Sequence, residues 1–169
     1  PIGRPNTGAF PLTDFSIESF TRSVLSGTPY PISLLFVFGG NPLFQTPNHR
    51  EFAQALQKIP LVISFDNLLN ETSEHAHLVL PDHHFMERWD EVSNVRSVGF
   101  THVGMQHPVV SPLYDTRHCA DVLMNLAERI GGQVAAAFPF KTYEKELKHA
   151  LKGIYNSGTG AIASEGVGT

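Results

Sequence analysis

The chain has 169 residues, 41% of them apolar and 17% charged, with a formal net charge of −4 and an isoelectric point near 6.1. That length and composition suit a folded domain with a real core and exclude a disordered chain. No basic excess is present for nucleic acid to meet, and no apolar run approaches the ~18 to 20 residues needed to cross a bilayer.

Cys119 is the only cysteine, which excludes an intrachain disulfide and any cysteine-ligated iron–sulfur cluster built from this chain alone. The chain starts Pro1-Ile2-Gly3-Arg4, without an initiator Met, a signal peptide or a twin-arginine start. It reads as an internal or processed piece.

Residues 1–13, rich in Pro and Gly, read as a connecting segment. Residues 14–25 predict a short helix capped by Thr13, with Phe15, Ile17, Phe20, Val24 and Leu25 at apolar spacing and Gly27 as its stop. Residues 32–38, Ile-Ser-Leu-Leu-Phe-Val-Phe, predict a strand buried on both faces, as in a parallel sheet covered by helices. That strand stops on Gly39-Gly40-Asn41-Pro42. Two glycines remove every Cβ from the bend, so backbone amides there can approach a phosphate or a pterin closely, and Pro42 turns the chain away.

The next helix is predicted with Thr46 as its cap, Pro47 in its first turn, and Phe52, Ala55, Leu56 and Ile59 on one face, and Pro60 ends it. Residues 61–65 predict a second buried strand that ends on Asp66. Strand, helix and strand make a βαβ unit with a right-handed crossover. Ligands of such sheets bind at the carboxyl ends of the strands, where Gly39, Gly40, Asn41 and Asp66 are all expected. A carboxylate at a strand tip suits a ribose hydroxyl or a guanine N–H edge. Glu71 and Thr72 read either as polar groups on the same rim or, for Thr72, as a helix cap.

Residues 77–80 predict a third strand closed by Pro81, residues 82–99 have no clear period, and residues 100–110 read as extended. Residues 116–130 predict a helix with Cys119, Val122, Leu123, Leu126, Ala127 and Ile130 at helical spacing and Gly131-Gly132 as its stop. Residues 141–151 predict another, capped by Thr142, with Glu144 and Glu146 near its positive end and Lys148, His149 and Lys152 near its negative end. The tail from Asn156 is Gly, Ser, Thr and Ala and is expected to be mobile or pinned by further sequence.

His75, His77, His83 and His84, followed by Glu87, concentrate imidazoles near a carboxylate. Their spacing matches no established zinc signature and His83-His84 would point oppositely on a strand, so no metal site is assigned. No catalytic residue is assigned either: there is no G-x-S-x-G, and Cys119 on an apolar helix face reads as a packing thiol. G-x-G-x-x-G and the P-loop pattern are also absent, against ordinary NAD or P-loop nucleotide binding. Trp89 among charges reads as a surface-loop anchor or a subunit contact.

The order Gly39-Gly40-Asn41-Pro42, amphipathic helix, strand ending in Asp66, Asn70-Glu71-Thr72, then His77-Leu78-Val79-Leu80-Pro81 resembles molybdopterin oxidoreductases of the dimethyl-sulfoxide-reductase family. The runs at 81–89 and 108–117 look more like the branch holding polysulfide-reductase-like, quinone-linked and alternative-complex-III-type subunits. The resemblance implies a three-layer α/β domain of dinucleotide-binding type, a partly parallel sheet with helices on both faces, over residues 1–110. Residues 111–155 would be a helical segment leading toward a next domain, and 156–169 a flexible tail.

It also implies that Gly39, Gly40, Asn41, Pro42, Asp66 and Thr72 form part of the cradle of a molybdopterin guanine dinucleotide carrying molybdenum or tungsten. The chain would then be part of a respiratory electron-transfer enzyme, inactive by itself. Its partners would be the remaining domains of the same polypeptide, an iron–sulfur subunit and a quinone-reactive membrane subunit, in a membrane-attached complex facing the periplasm. Iron–sulfur clusters would sit only in those other parts. Two rival readings are a scaffold subunit of the same ancestry without metal cofactor, in a quinol-oxidising complex, and a stand-alone nucleotide-binding module.

Overall fold

A computed structural model describes residues 16–93 and 103–156. The chain forms two compact units, Pro1–Asp82 and His83–Thr169, each with its own elements. In the described residues of the first unit these are α1 (Ile17–Ser26), β1 (Leu34–Phe38), α2 (Pro42–Gln45), α3 (His49–Lys58), β2 (Leu61–Asp66) and β3 (Leu78–Pro81). The strands pair in the order β1-β2-β3, all parallel, with Leu34 opposite Leu61 and Ile63 opposite Leu78. The expected α/β architecture with a parallel sheet is therefore present.

α1 is capped by Ser16, whose Oγ accepts from the Ser19 amide at 3.1 Å. The expected cap, Thr13, lies outside the described residues. Gly27, at φ 69°, terminates α1 in the left-handed conformation that a Cβ would strain. Thr46 does not cap α3, as its sequence suggested, but closes the short α2, donating from Oγ1 to the Pro42 carbonyl at 2.8 Å. Two cap-like residues precede α3, and the chain uses Asn48 as the flanking one, without a side-chain bond.

α3 does present the expected stripe. Phe52, Ala55, Leu56 and Ile59 are at most 3% exposed, and they cluster with Val24 of α1 and Val62 of β2. Leu35 and Val37 pack against the same cluster, so α1 and α3 lie on one face of the sheet. Lys58 ties the two helices by donating from Nζ to the Leu25 carbonyl at 2.7 Å, where a cation also suits the negative end of α1. Phe36, Phe38 and Phe65 form a ring cluster on the opposite face, Phe38 and Phe65 stacked at 5.0 Å.

The expectation that β1 is buried on both faces is corrected. Among the described residues it is an edge strand, with Leu34 at 42% and Phe38 at 47% exposure, while the central strand β2 holds the fully buried Val62, Ser64 and Phe65. An all-apolar run reports what a strand is made to be covered by, and it is silent on whether the cover lies in the same stretch of chain.

In the described residues of the second unit, the 82–99 stretch that lacked a period yields a turn of 3₁₀ helix at Phe85–Glu87 and β4 (Asp90–Ser93). β4 pairs antiparallel with β5 (Val103–Gln106), which falls inside the stretch expected to be extended. Then follow α4 (Cys119–Ile130), α5 (Gly132–Ala137) and α6 (Tyr143–Asn156). The buried stripe of α4 is Met124 and Ala127, whereas Leu126 and Ile130, read as part of its core face, are 41% and 61% exposed.

α4 begins at Cys119 rather than at 116, and His118 caps it, with Nδ1 accepting from the Ala120 amide at 3.0 Å. At α6 the Thr142 hydroxyl, expected as the cap, is buried without a hydrogen-bond partner among the described residues, and the first amide of the helix donates instead to Asp121 Oδ1 at 2.7 Å. Among the described residues no helix is long and apolar enough to cross a membrane.

Replacing Leu56 with Ala should lower stability by about 2–5 kcal/mol, because the fully buried side chain leaves a cavity between α1, α3 and β2. Leu69→Ala, at a site 75% exposed, should stay within about 0.5 kcal/mol of wild type. Denaturant unfolding followed by circular dichroism would compare the two, and equal effects would contradict this core assignment.

Candidate functional site

The carboxyl ends of β1 and β2 meet at one rim. In the parallel register Phe38 lies opposite Phe65. The amide of Gly39 extends that ladder by donating to the Phe65 carbonyl at 2.9 Å, so the glycine bend sits next to Asp66. Gly39 has φ 49°, and a Cβ built there would meet nothing within 4 Å. The bend therefore needs glycine for its backbone conformation and faces open space.

One feature of the bend differs from expectation: the Gly39 amide belongs to the sheet. The amides of Gly40 and Asn41 are the ones left without an acceptor among the described residues. Pro42 begins α2, where its missing N–H costs nothing.

Behind the rim a side-chain network holds this geometry. Thr72, fully buried, donates from Oγ1 to Asn41 Oδ1 at 2.8 Å and accepts from the Leu43 amide at 3.0 Å. Asn41 donates from Nδ2 to Glu71 Oε2 at 2.5 Å. This bond, followed by a backbone bond, holds the Glu71 carboxyl below the usual carboxylate range. Asn70 Oδ1 accepts from the amides of Thr72 and Ser73, and its Nδ2 donates to Asp66 Oδ2 at 2.5 Å. Asp66 Oδ1 accepts from the amides of Asn67 and Leu68.

Gly39, Gly40, Asn41, Pro42 and Asp66 are thus brought together. Thr72 stands behind them with its hydroxyl fully engaged, where it positions the bend. In the sequence Asn70 stood out only as part of the Asn70-Glu71-Thr72 run, and its bond to Asp66 was missed. The usable signal was an Asn four residues after a strand-ending Asp, within reach of an Asx-type turn.

The histidines expected to concentrate each have a structural contact. His75 Nδ1 lies 3.0 Å from the Glu71 carbonyl oxygen, and His77 Nδ1 accepts from the Val62 amide at 3.0 Å. In the second unit, His83 Nδ1 lies 2.6 Å from Thr116 Oγ1, and His84 Nδ1 accepts from the Met86 amide at 3.4 Å. Among the described residues no group of three or more His, Cys, Asp or Glu is arranged to hold a metal ion. Glu87 accepts from the amides of His84 and Leu113, and these bonds hold its carboxyl below the usual range, the Leu113 bond most. Trp89 carries Lys148 Nζ at 4.5 Å from its ring centre, as an anchoring aromatic would.

Thr72→Val should destabilise the chain by about 1–3 kcal/mol. It removes the bond to Asn41 and leaves the Leu43 amide without its acceptor, while shape is nearly kept. Thr72→Ser keeps both bonds and should cost less. Thermal denaturation of both variants checks the ordering, and the reverse order would contradict the network.

The molybdopterin oxidoreductase family model matches residues 6–129. The menaquinone reductase molybdopterin-binding-like subunit of Nitratidesulfovibrio vulgaris is 29% identical over 76% of this chain. The thiosulfate reductase molybdopterin-containing subunit of Salmonella typhimurium is 27% identical over 81% of it. The chain spans 18% of the length of each of these two relatives. The solved structure of acetylene hydratase from Pelobacter acetylenicus superposes with a TM-score of 0.61 at 22% identity, covering 73% of this chain and 16% of that one, which supports the fold. The chain belongs to the molybdopterin oxidoreductase family.

Proposed function

We propose that this chain supplies part of the cradle for a molybdopterin guanine dinucleotide in a larger respiratory oxidoreductase. The observation that carries this reading is the Gly39-to-Phe65 bond, which sets an open glycine bend beside a carboxylate at the carboxyl ends of parallel strands. The residues present suit such a group. The Gly40 and Asn41 amides can donate, and Asp66 keeps acceptor capacity beyond its three internal bonds, since a carboxylate offers about four lone-pair directions.

Charge narrows the assignment. Glu71 lies against Asn41, and Asp66 is next to Gly39 in the register, so the rim carries negative charge. A phosphate there would be repelled by both carboxylates, whereas the N–H-rich edge of a guanine or a pterin would be attracted. Asp66 is therefore assigned to a base or ribose edge and the bend to an uncharged donor–acceptor edge. When bound, such a cofactor supplies a metal centre for electron exchange with a small substrate. The part of this chain is to orient it. Iron–sulfur carriers, a quinone-reactive membrane subunit and a location facing the periplasm belong to the same proposal and lie outside these residues.

One observation favours a second reading, a scaffold of the same ancestry without metal. Asp66 is already satisfied by Asn67, Leu68 and Asn70, which is how a purely structural turn would use it. The relative named a molybdopterin-binding-like subunit fits such a role.

In the intact subunit, Asp66→Ala should retain several-fold less guanine nucleotide, measured by acid extraction and chromatography, with molybdenum or tungsten measured in parallel. Unchanged nucleotide content would defeat the Asp66 assignment. A wild-type subunit with neither nucleotide nor metal would establish the scaffold reading.

A further inference from the structure

The most exposed large apolar side chains of the first unit gather beside its polar rim. Among the described residues of that unit, Phe44, Leu68 and Leu69 are 75% exposed or more, and every other large apolar side chain is at most 58% exposed. All three lie on the chain reversals that follow β1 and β2, the same two that carry the glycine bend and Asp66. One exposed Leu or Phe is ordinary on any protein surface. Three of them, confined to the two loops of one candidate site, mark a surface fitted for apolar contact.

Two of the three are tied to rim groups through the backbone. The Leu68 amide donates to Asp66 Oδ1 at 3.3 Å, so this side chain starts beside the carboxylate assigned to the cofactor. The Phe44 amide donates to the Asn41 carbonyl at 3.1 Å, in the turn that follows the glycine bend directly. Both positions are also held from behind. Leu43, next to Phe44, is bonded to the buried Thr72, and Asn70 Nδ2 holds Asp66 at the base of the turn that carries Leu68. These side chains therefore stand on a fixed backbone. Leu69, equally exposed, has no backbone bond to the rim among the described residues.

A purine whose N–H edge is read by a carboxylate still presents two flat π faces to water. Such faces gain most by stacking on aromatic or branched apolar side chains, whereas a ribose or a pyrophosphate has no face to offer them. We propose that Phe44 and Leu68 are the walls against which the guanine of the cofactor seats, Phe44 meeting a ring face and Leu68 flanking the ring where its edge reaches Asp66. The inference rests on the cofactor reading above and narrows it. The group at this rim is the planar base, and the ribose and the phosphates lie beyond these residues. Phe44 and Leu68 are positioning residues for the base and take no part in electron exchange.

The test measures how fast the intact subunit releases guanine nucleotide after dilution into cofactor-free buffer, with chromatography of the filtrate as the readout. Phe44→Ala and Leu68→Ala should each release it about fivefold to a hundredfold faster than wild type, the range expected for losing a stacking contact. Phe44→Tyr keeps an aromatic face and should stay near wild type, as should Leu69→Ala. The melting temperature of the cofactor-free protein should be nearly the same in all four variants. Unchanged release from Phe44→Ala and Leu68→Ala, in a protein whose Asp66→Ala form does lose nucleotide, would overturn this inference and leave the cofactor reading standing. Equal acceleration in Leu69→Ala, or a matching drop in the melting temperature of the cofactor-free protein, would assign these side chains to packing against other protein and overturn it as well. A wild-type subunit without guanine nucleotide would overturn both.

Discussion

The rim of the first unit depends on one buried hydroxyl. Thr72 sits between the two chain reversals that follow β1 and β2, donating to Asn41 and accepting from Leu43. With no solvent to compete, both bonds are stronger than they would be at the surface, and neither can be lost without stranding a partner. The bend at Gly39 and Gly40 is thereby shaped from behind, by groups that never reach its open side. A loop fixed in this way can keep two glycines and an empty approach without becoming slack. The Gly39–Phe65 bond completes the constraint from the sheet, so that the spacing between the bend and Asp66 follows from strand register.

What could be read from the residues follows the range of the interactions concerned. α3 and β2 were legible because their buried positions repeat at helical or strand period within a single window, and Phe52, Ala55, Leu56, Val62 and Phe65 are indeed interior. The meeting of Gly39 with Asp66 was legible because parallel topology puts strand ends together regardless of detail. Thr46 was assigned to the wrong helix because Thr-Pro reads equally well as an opening and as a closing pair, and only the short α2, too brief for any period, decides it. The Asn41–Thr72 bond spans 31 residues and leaves no local pattern. For β4 the fault was composition: Asp-Glu-Val-Ser has no alternation to detect, and its pairing with β5 supplies what its own residues lack.

The second unit is built on a different balance. Its strands are short, and part of its order comes from carboxylates bonded to distant backbone amides: Glu87 to Leu113 and Asp121 to Tyr143. For Glu87 the sign of the linkage is plain. A carboxyl held below its ordinary range stabilises the fold above that range, and the contribution is lost as pH falls through the lowered value. Near Tyr143 the opposite holds: burial, followed by the nearby Asp90 and Glu91, raises the phenol above its usual range. That contribution is present below the ordinary phenol range and disappears as alkaline pH passes through the raised value.

The asymmetry of the sheet bears on what this fold depends on for its cover. Parallel strands are stable when both faces are covered, and here α1 and α3 cover one face while Leu34, Phe38, Leu61 and Leu78 on the other are each more than two-fifths exposed. Each such side chain left half in water forgoes part of the ~1.5–3 kcal/mol that full burial would contribute. A sequence under no pressure to cover that face would place polar residues at alternate positions, as antiparallel sheets with one wet side do. This one retains an apolar residue at every register position from Leu34 to Phe38 and from Leu61 to Ile63. The glycine bend and Asp66 sit at the carboxyl-end rim of this same sheet, so their spacing depends on strands whose second face is apolar and half exposed among the described residues.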